Sequence, residues 1–228
     1  MGDDLTRPAF YALRSGGWRD YVTLLHPPYT LWHLSYAAMG AAIAPQVKWG
    51  LLGWTVLAFL LAMGVGAHAL DELQGRPLRT RIPAGVLASL ALASIGAACA
   101  IGIAVALRTT LWLLLFVGVG AFVVVAYNLE LLGGVLHTPF WFAFMWGAFP
   151  ALTGYFASAH RLRFDAIAIA AFAFLTSLAQ RRLSTEVRAA RRQAGDASLA
   201  RPEESALQLL VAALPLLTGG LLLFRWRY

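Results

Sequence analysis

The chain has 228 residues, 60% of them hydrophobic and 13% charged, with a mean hydropathy of +0.68. Apolar runs of about 20 residues recur, each what a hydrocarbon layer roughly 30 Å thick asks of a crossing helix, so a soluble globular domain is excluded. The formal net charge of +7 reads as topology and lipid contact rather than as a nucleic-acid footprint. The lone cysteine, Cys99, excludes an intrachain disulfide or a Cys-based metal cluster.

Residues 1–28 form a cytoplasmic or interfacial segment, without the short apolar core and cleavage site of a leader peptide. The stretch from Arg7 to Leu25 mixes aromatics with arginines, which suits a helix lying in the headgroup layer. Residues 29–228 read as one all-α membrane bundle of seven spans. These lie at about 29–47, 50–70, 84–107, 110–127, 138–158, 164–182 and 205–224.

The Lys/Arg balance sets the orientation. With the N-terminus inside, Arg7, Arg14, Arg19, Arg76, Arg79, Arg81, Arg181, Arg182, Arg188, Arg191, Arg192 and Arg201 are cytoplasmic. Lys48, Arg108, Arg161, Arg163, Arg225 and Arg227 lie opposite, a split of twelve to six. Ten of the eleven carboxylates also fall inside, Asp165 being the exception. The expected location is a bacterial-type plasma membrane, N-terminus in and C-terminus out, with membrane lipids as surroundings. Small-residue pairs, Gly40 with Ala44 and Gly96 with Ala100, permit close helix packing within the chain or between copies in a homo-oligomer.

Three polar clusters occupy the inner ends of the spans. The first runs from His68 to Pro83. His68, Asp71 and Glu72 share one helical face, and a carboxylate pair beside an imidazole suits a hard cation such as Mg²⁺. Arg76, Arg79 and Arg81 follow as forked donors for phosphate or diphosphate; the plainer alternative is a solvated, positive-inside loop. The second cluster is Tyr127, Asn128 and Glu130, with His137 beyond. Glu130 has no basic neighbour in sequence and needs a tertiary partner, an arginine of the first cluster being one candidate. In the third, Gln180, Ser184 and Arg188 repeat every four residues, as do Arg181 and Thr185. The sixth helix should therefore continue past the membrane surface with a polar stripe. Glu186 is spaced to pair with Arg182. Trp32, His33, Tyr36 and Trp146 read as helix packing first and as channel lining second. His26-Pro27-Pro28-Tyr29 is echoed by His137-Thr138-Pro139-Phe140, a faint sign of two related halves.

The segment Ala67–Gly75, followed by Arg76-Pro77-Leu78-Arg79-Thr80-Arg81-Ile82, resembles the UbiA superfamily of intramembrane prenyltransferases. That family carries Asn-Asp-x-x-Asp-x-x-x-Asp and then an Arg-Pro-Leu segment at this place. Aligned on Asp71, the motif's Asn is Ala67, its first Asp is His68 and its last is Gly75. A second Asp-rich motif is replaced by Gln180, Ser184 and Glu186 among arginines, and one span follows where three are common. The resemblance implies a UbiA-like bundle moving an isoprenoid from its diphosphate to a small or lipid acceptor. By the same resemblance His68, Asp71 and Glu72 would hold Mg²⁺. Arg76, Arg79, Arg81, Glu130, Gln180, Arg181, Ser184 and Arg188 would bind substrate, and Asp71, Tyr127 and Asn128 would act in catalysis. The competing expectation is a non-catalytic lipid- or isoprenoid-binding subunit that keeps the fold, because a fold alone does not carry activity.

Overall fold

A computed structural model describes residues 7–192 and 201–227. Asp3, Asp4 and Asp196 lie outside them, as do the side chains of Arg192 and Arg201. The regular elements are all helical: α1 (Trp18–Leu24), α2 (Pro27–Ile43), α3 (Trp49–Leu73), α4 (Ala84–Arg108), α5 (Leu113–Asn128), α6 (139–159), α7 (Phe164–Arg192) and α8 (Arg201–Arg227). Four of them, α3, α4, α7 and α8, are long and apolar enough to cross a membrane, and α5 is a shorter apolar helix. The chain is a helical membrane protein.

Prolines set several boundaries. Pro27 and Pro28 open α2, where their missing N–H groups cost nothing. The same helix stops at Ile43 because Ala44, before Pro45, turns extended (ψ 153°). The first helix is therefore shifted towards the N-terminus of the expected 29–47. The interfacial helix expected over 7–25 is confined to the seven residues of α1. Upstream of it the chain folds back, with Leu13 N–H on Thr23 Oγ1 and Gly16 N–H on the buried Asp20 carboxylate. The sixth helix does run on past the apolar region, as its polar stripe requires, to Arg192. There the buried Arg191 guanidinium grips Glu204 of α8 at 2.6 and 3.2 Å. Arg182 and Glu186 are both exposed and form no ion pair among the described residues, since water competes for a pair on a protruding helix.

The core is built on close crossings at small residues. Helices α2 and α6 meet reciprocally: a Cβ on Gly40 would overlap the Ala151 carbonyl, and one on Gly154 would overlap the Ala37 carbonyl. Gly147 sets α6 equally close to Ala173 of α7. Beside this seam Trp32, Tyr36, Met39 and Ala151 pack with Ile169, Ala173 and Leu214. The Trp32 indole donates to the Tyr36 hydroxyl, which in turn contacts Thr176 Oγ1 at 2.6 Å. Gly96, expected at a packing contact, has open space around it; α4 approaches α5 at Gly102 against Val117 instead.

Two helices contain π turns, Leu60–Ala67 in α3 and Phe144–Ala148 in α6. Each adds a residue to the turn and so re-aims the side chains that follow, an arrangement common at functional sites. At one end of the bundle Lys48 touches His160, Trp49 packs edge-on to Trp226, and Arg225 donates to the carbonyls of Ala44 and Pro45. The other end holds the polar cavity.

Candidate functional site

The C-terminal ends of α3 and α5, the N-terminal ends of α2 and α6, and the polar extension of α7 surround a cavity of about 410 Å³. Residues 8–11 cover part of it. Of the expected site residues, His68, Asp71, Tyr127, Asn128, Gln180, Arg181, Ser184 and Arg188 all line this space. Three elements far apart in sequence therefore deliver their polar ends to one place.

The α7 wall is cationic. Arg181 and Arg188 lie on one helical face two turns apart, and neither has a carboxylate within salt-bridge distance among the described residues. Arg181 sits over the Phe142 ring at 5.3 Å, a cation–π contact that holds it towards the floor. Ser184 and Thr185 give their hydroxyl protons to the Arg181 carbonyl and leave lone pairs for the cavity. Gln180 is 3% exposed and its Oε1 has no partner among the described residues.

The opposite wall is rich in histidine and aromatic rings. The rings of His26 and His68 are in contact, tilted by 43° with centroids 3.9 Å apart. His26 Nδ1 meets the Leu24 carbonyl at 3.0 Å and His68 Nδ1 meets the Gly64 carbonyl at 3.1 Å. His33 Nδ1 lies 2.8 Å from the Trp146 carbonyl, and His137 Nδ1 lies 3.1 Å from that of Tyr127. Burial, and then the neighbouring His68, push the His26 pKa well below its ordinary value. Burial likewise raises that of Tyr11, which packs edge-on to Tyr29. Tyr127 stacks on His137 at 4.5 Å and touches Trp146 at the same distance. It is 4% exposed, and its hydroxyl has no partner among the described residues. Two buried polar atoms without a partner among the described residues, Tyr127 Oη and Gln180 Oε1, thus belong to residues that line this space, where a polar ligand could complete them.

Beyond Trp146 the surroundings become apolar. Trp146 also lines a void of about 40 Å³ with Met63 and Val123. Phe59 and Phe149 line both that void and a further apolar cavity of about 110 Å³ between α3, α4 and α5.

Several expected ligands do other work. Glu72 is fully buried, and its carboxylate accepts from Leu78 N–H (2.9 Å), Thr80 N–H (2.8 Å) and Thr80 Oγ1–H (2.8 Å). It braces the 74–83 loop, in which Gly75, Arg76 and Arg79 all have left-handed backbone. Arg76 turns onto the carbonyls of Thr80 and Ile82. Arg79 and Arg81 are exposed, and their main chains are tied to Ser15 and Asp20. Glu130 is exposed, 3.9 Å from His137, and meets no arginine of that loop. None of these five lines the cavity. His68, Asp71 and Glu72 share a helix but do not converge. No group of three His, Cys, Asp or Glu among the described residues could hold a metal ion. The Mg²⁺ set therefore does not fit, because Glu72 spends its oxygens on the loop.

The residues that the sequence understated are His26, Tyr29 and Tyr11. The signal for His26 was the His-Pro echo: His26 and His137 stand at equivalent helix entries and face the same cavity. Comparison of the chain with protein-family models, characterised proteins and solved structures finds no match.

Proposed function

We propose that the protein is a divergent, UbiA-like membrane prenyltransferase that moves an isoprenoid from its diphosphate to a small or lipid acceptor. The observation that carries this reading is the pair Arg181 and Arg188, unpaired with any carboxylate among the described residues and facing a cavity with an aromatic floor. A diphosphate offers the planar oxygen sets that two guanidinium forks prefer. Its C1 carbon would rest against Tyr127, Phe142 and Trp146, whose π faces favour the positive charge that develops as the C1–O bond breaks. The bonding pair leaves with the diphosphate, and the arginines offset the charge that builds there. The hydrocarbon tail follows the apolar voids past Trp146. Asp71 is the one carboxylate of the expected Mg²⁺ set that faces the cavity, and a single carboxylate does not make a site for that ion. No step is routed through a metal.

On this reading seven helices cross a bacterial-type plasma membrane, α2 and α6 included. The cavity and N-terminus lie on the cytoplasmic side, where twelve of eighteen basic residues fall, and the C-terminus lies outside.

A second reading, a non-catalytic isoprenoid-binding subunit, draws on the use of Glu72, Arg76, Arg79 and Arg81 as loop structure rather than as ligands. The two are separated by purified protein in detergent, given geranylgeranyl diphosphate with a panel of acceptors, with and without Mg²⁺. Expected are binding and diphosphate release, both reduced tenfold or more, on the order of 1.4 kcal/mol, by Arg181→Gln or Arg188→Gln. Arg79→Gln should leave both unchanged, and Asp71→Ala should lose release. Binding without release supports the accessory subunit. Neither binding nor release overturns both readings.

A further inference from the structure

Four of the five histidines line the cavity, and each places Nδ1 on a backbone carbonyl. A carbonyl oxygen only accepts, so in each neutral ring Nδ1 carries the proton and Nε2 is left as a bare acceptor. Asp71 and Gln180 Oε1 add further acceptors to the same space. The donors of the lining are Arg181 and Arg188 together with the hydroxyls of Tyr11, Tyr29 and Tyr127. A diphosphate, itself all acceptor, can satisfy those donors but not the imidazole Nε2 atoms. That wall calls for a partner bringing O–H or N–H groups.

His26 and His68 differ from the other two histidines. Their rings are in tilted contact, and His68 shares a helical face with Asp71 one turn away. His26 is held in left-handed backbone (φ 45°) immediately before Pro27, an unfavourable conformation that persists only where the surroundings enforce it. Its enforced geometry presses one imidazole against another at 3.9 Å, where both cannot comfortably hold a second proton. A neutral ring with a free Nε2 is the form needed to accept one.

Resting on the prenyl-transfer reading above, we propose that the His26–His68 pair is the acceptor subsite, taking a hydroxyl compound whose oxygen becomes alkylated, with His68 as the general base. The acceptor O–H proton passes to His68 Nε2. The oxygen lone pair forms the new C–O bond to C1 of the isoprenoid, and the old C1–O bond breaks with its electrons leaving on the diphosphate held by Arg181 and Arg188. The products are an ether, diphosphate and protonated His68, which returns its proton to water; no oxidant or reductant is needed. His26 is a positioning residue, fixing the orientation of the His68 ring by tilted ring contact.

The test uses the whole protein in detergent, geranylgeranyl diphosphate as donor, and glycerol, phenol or water as the hydroxyl probe. Donor binding is followed separately through Trp fluorescence, since Trp146 lines the site. His68→Gln keeps an acceptor oxygen but cannot take up a proton. It should leave donor binding and the KM for the probe unchanged, while kcat falls by roughly 10²–10⁴-fold, the usual contribution of a general base. His26→Gln should lower kcat part of the way with the same binding, and the product should be O-alkylated by mass spectrometry. Full turnover in His68→Gln, a carbon-alkylated product, or loss of donor binding along with turnover would each overturn the assignment. So would a wild-type protein that binds the donor yet alkylates none of the three probes, and in that case the diphosphate reading stands. Failure of the wild type to bind the donor sinks the diphosphate reading itself, and the acceptor subsite with it.

Discussion

Glu72 separates a metal-binding account of the first polar cluster from a structural one. Its buried carboxylate takes three hydrogen bonds from residues 78 and 80. Hydrogen bonds to a charged group contribute roughly 1.5–3 kcal/mol each, and a donor left buried without a partner costs about 1–3 kcal/mol. The three losses in Glu72→Ala are coupled through one loop, so they do not simply add. A cost of about 3–5 kcal/mol is expected, as for other buried charged groups removed from their partners. At about 2–4 °C per kcal/mol for a chain of this size, Glu72→Ala should melt roughly 6–20 °C below the wild type. Glu72→Gln keeps the shape and one acceptor oxygen, and about 1–3 kcal/mol is expected. Thermal unfolding in detergent reads the shift. Limited trypsin digestion reads its origin, because a loosened 74–83 loop exposes the bonds after Arg79 and Arg81. A Glu72→Ala protein that melts with the wild type, resists trypsin and loses Mg²⁺ binding would refute the structural account.

Two further predictions concern packing and pH. Gly154→Ala places a methyl on the Ala37 carbonyl and should cost about 1–3 kcal/mol or more through forced separation of α2 and α6. Gly118→Ala in α5 meets no atom and should be neutral or slightly stabilising, the two being compared by melting temperature. The pKa of His26 is depressed in the folded protein relative to its ordinary 6.5. As pH falls below about 6.5 the unfolded chain binds a proton that the folded chain refuses, so stability should drop from neutral pH towards 5.5. His26→Gln should flatten that part of the melting-temperature profile, and an unaltered slope would show that other groups carry it.

What the sequence disclosed followed from local rules. Apolar run length located α3, α4, α7 and α8, and the four-residue repeat of Gln180, Ser184 and Arg188 revealed a continued helix with one polar face. The same periodicity put Asp71 and His68 on one face, which the cavity bears out. Glu72 lies only one residue beyond Asp71, yet it turns to the loop. Spacing along a helix cannot reveal that, because the donors that claim Glu72 are main-chain N–H groups of a loop whose left-handed residues Arg76 and Arg79 have no sequence signature. The arginines were misassigned for the same reason. Three in a row after a helix look like an anion site, but a loop this short must use its own side chains to satisfy its carbonyls, as Arg76 does.

The π turns explain what the apolar pattern does not disclose about the histidines, the direction in which each ring is fixed. Leu60–Ala67 and Phe144–Ala148 read as ordinary apolar helix, since hydrophobicity alone does not register one extra residue per turn. Yet the first of them supplies the Gly64 carbonyl to His68, and the second supplies the Trp146 carbonyl to His33. Each deviation from α geometry thus fixes which nitrogen of a cavity histidine carries its proton. In an apolar bundle a backbone carbonyl released from the regular ladder needs a donor, and an imidazole Nδ1–H meets that need while turning its other nitrogen into an acceptor. The local irregularity and the chemistry of the cavity are therefore one arrangement. A substitution that restored regular α geometry in α3 with every residue kept would rotate His68 and Asp71 together by about 100° out of the cavity.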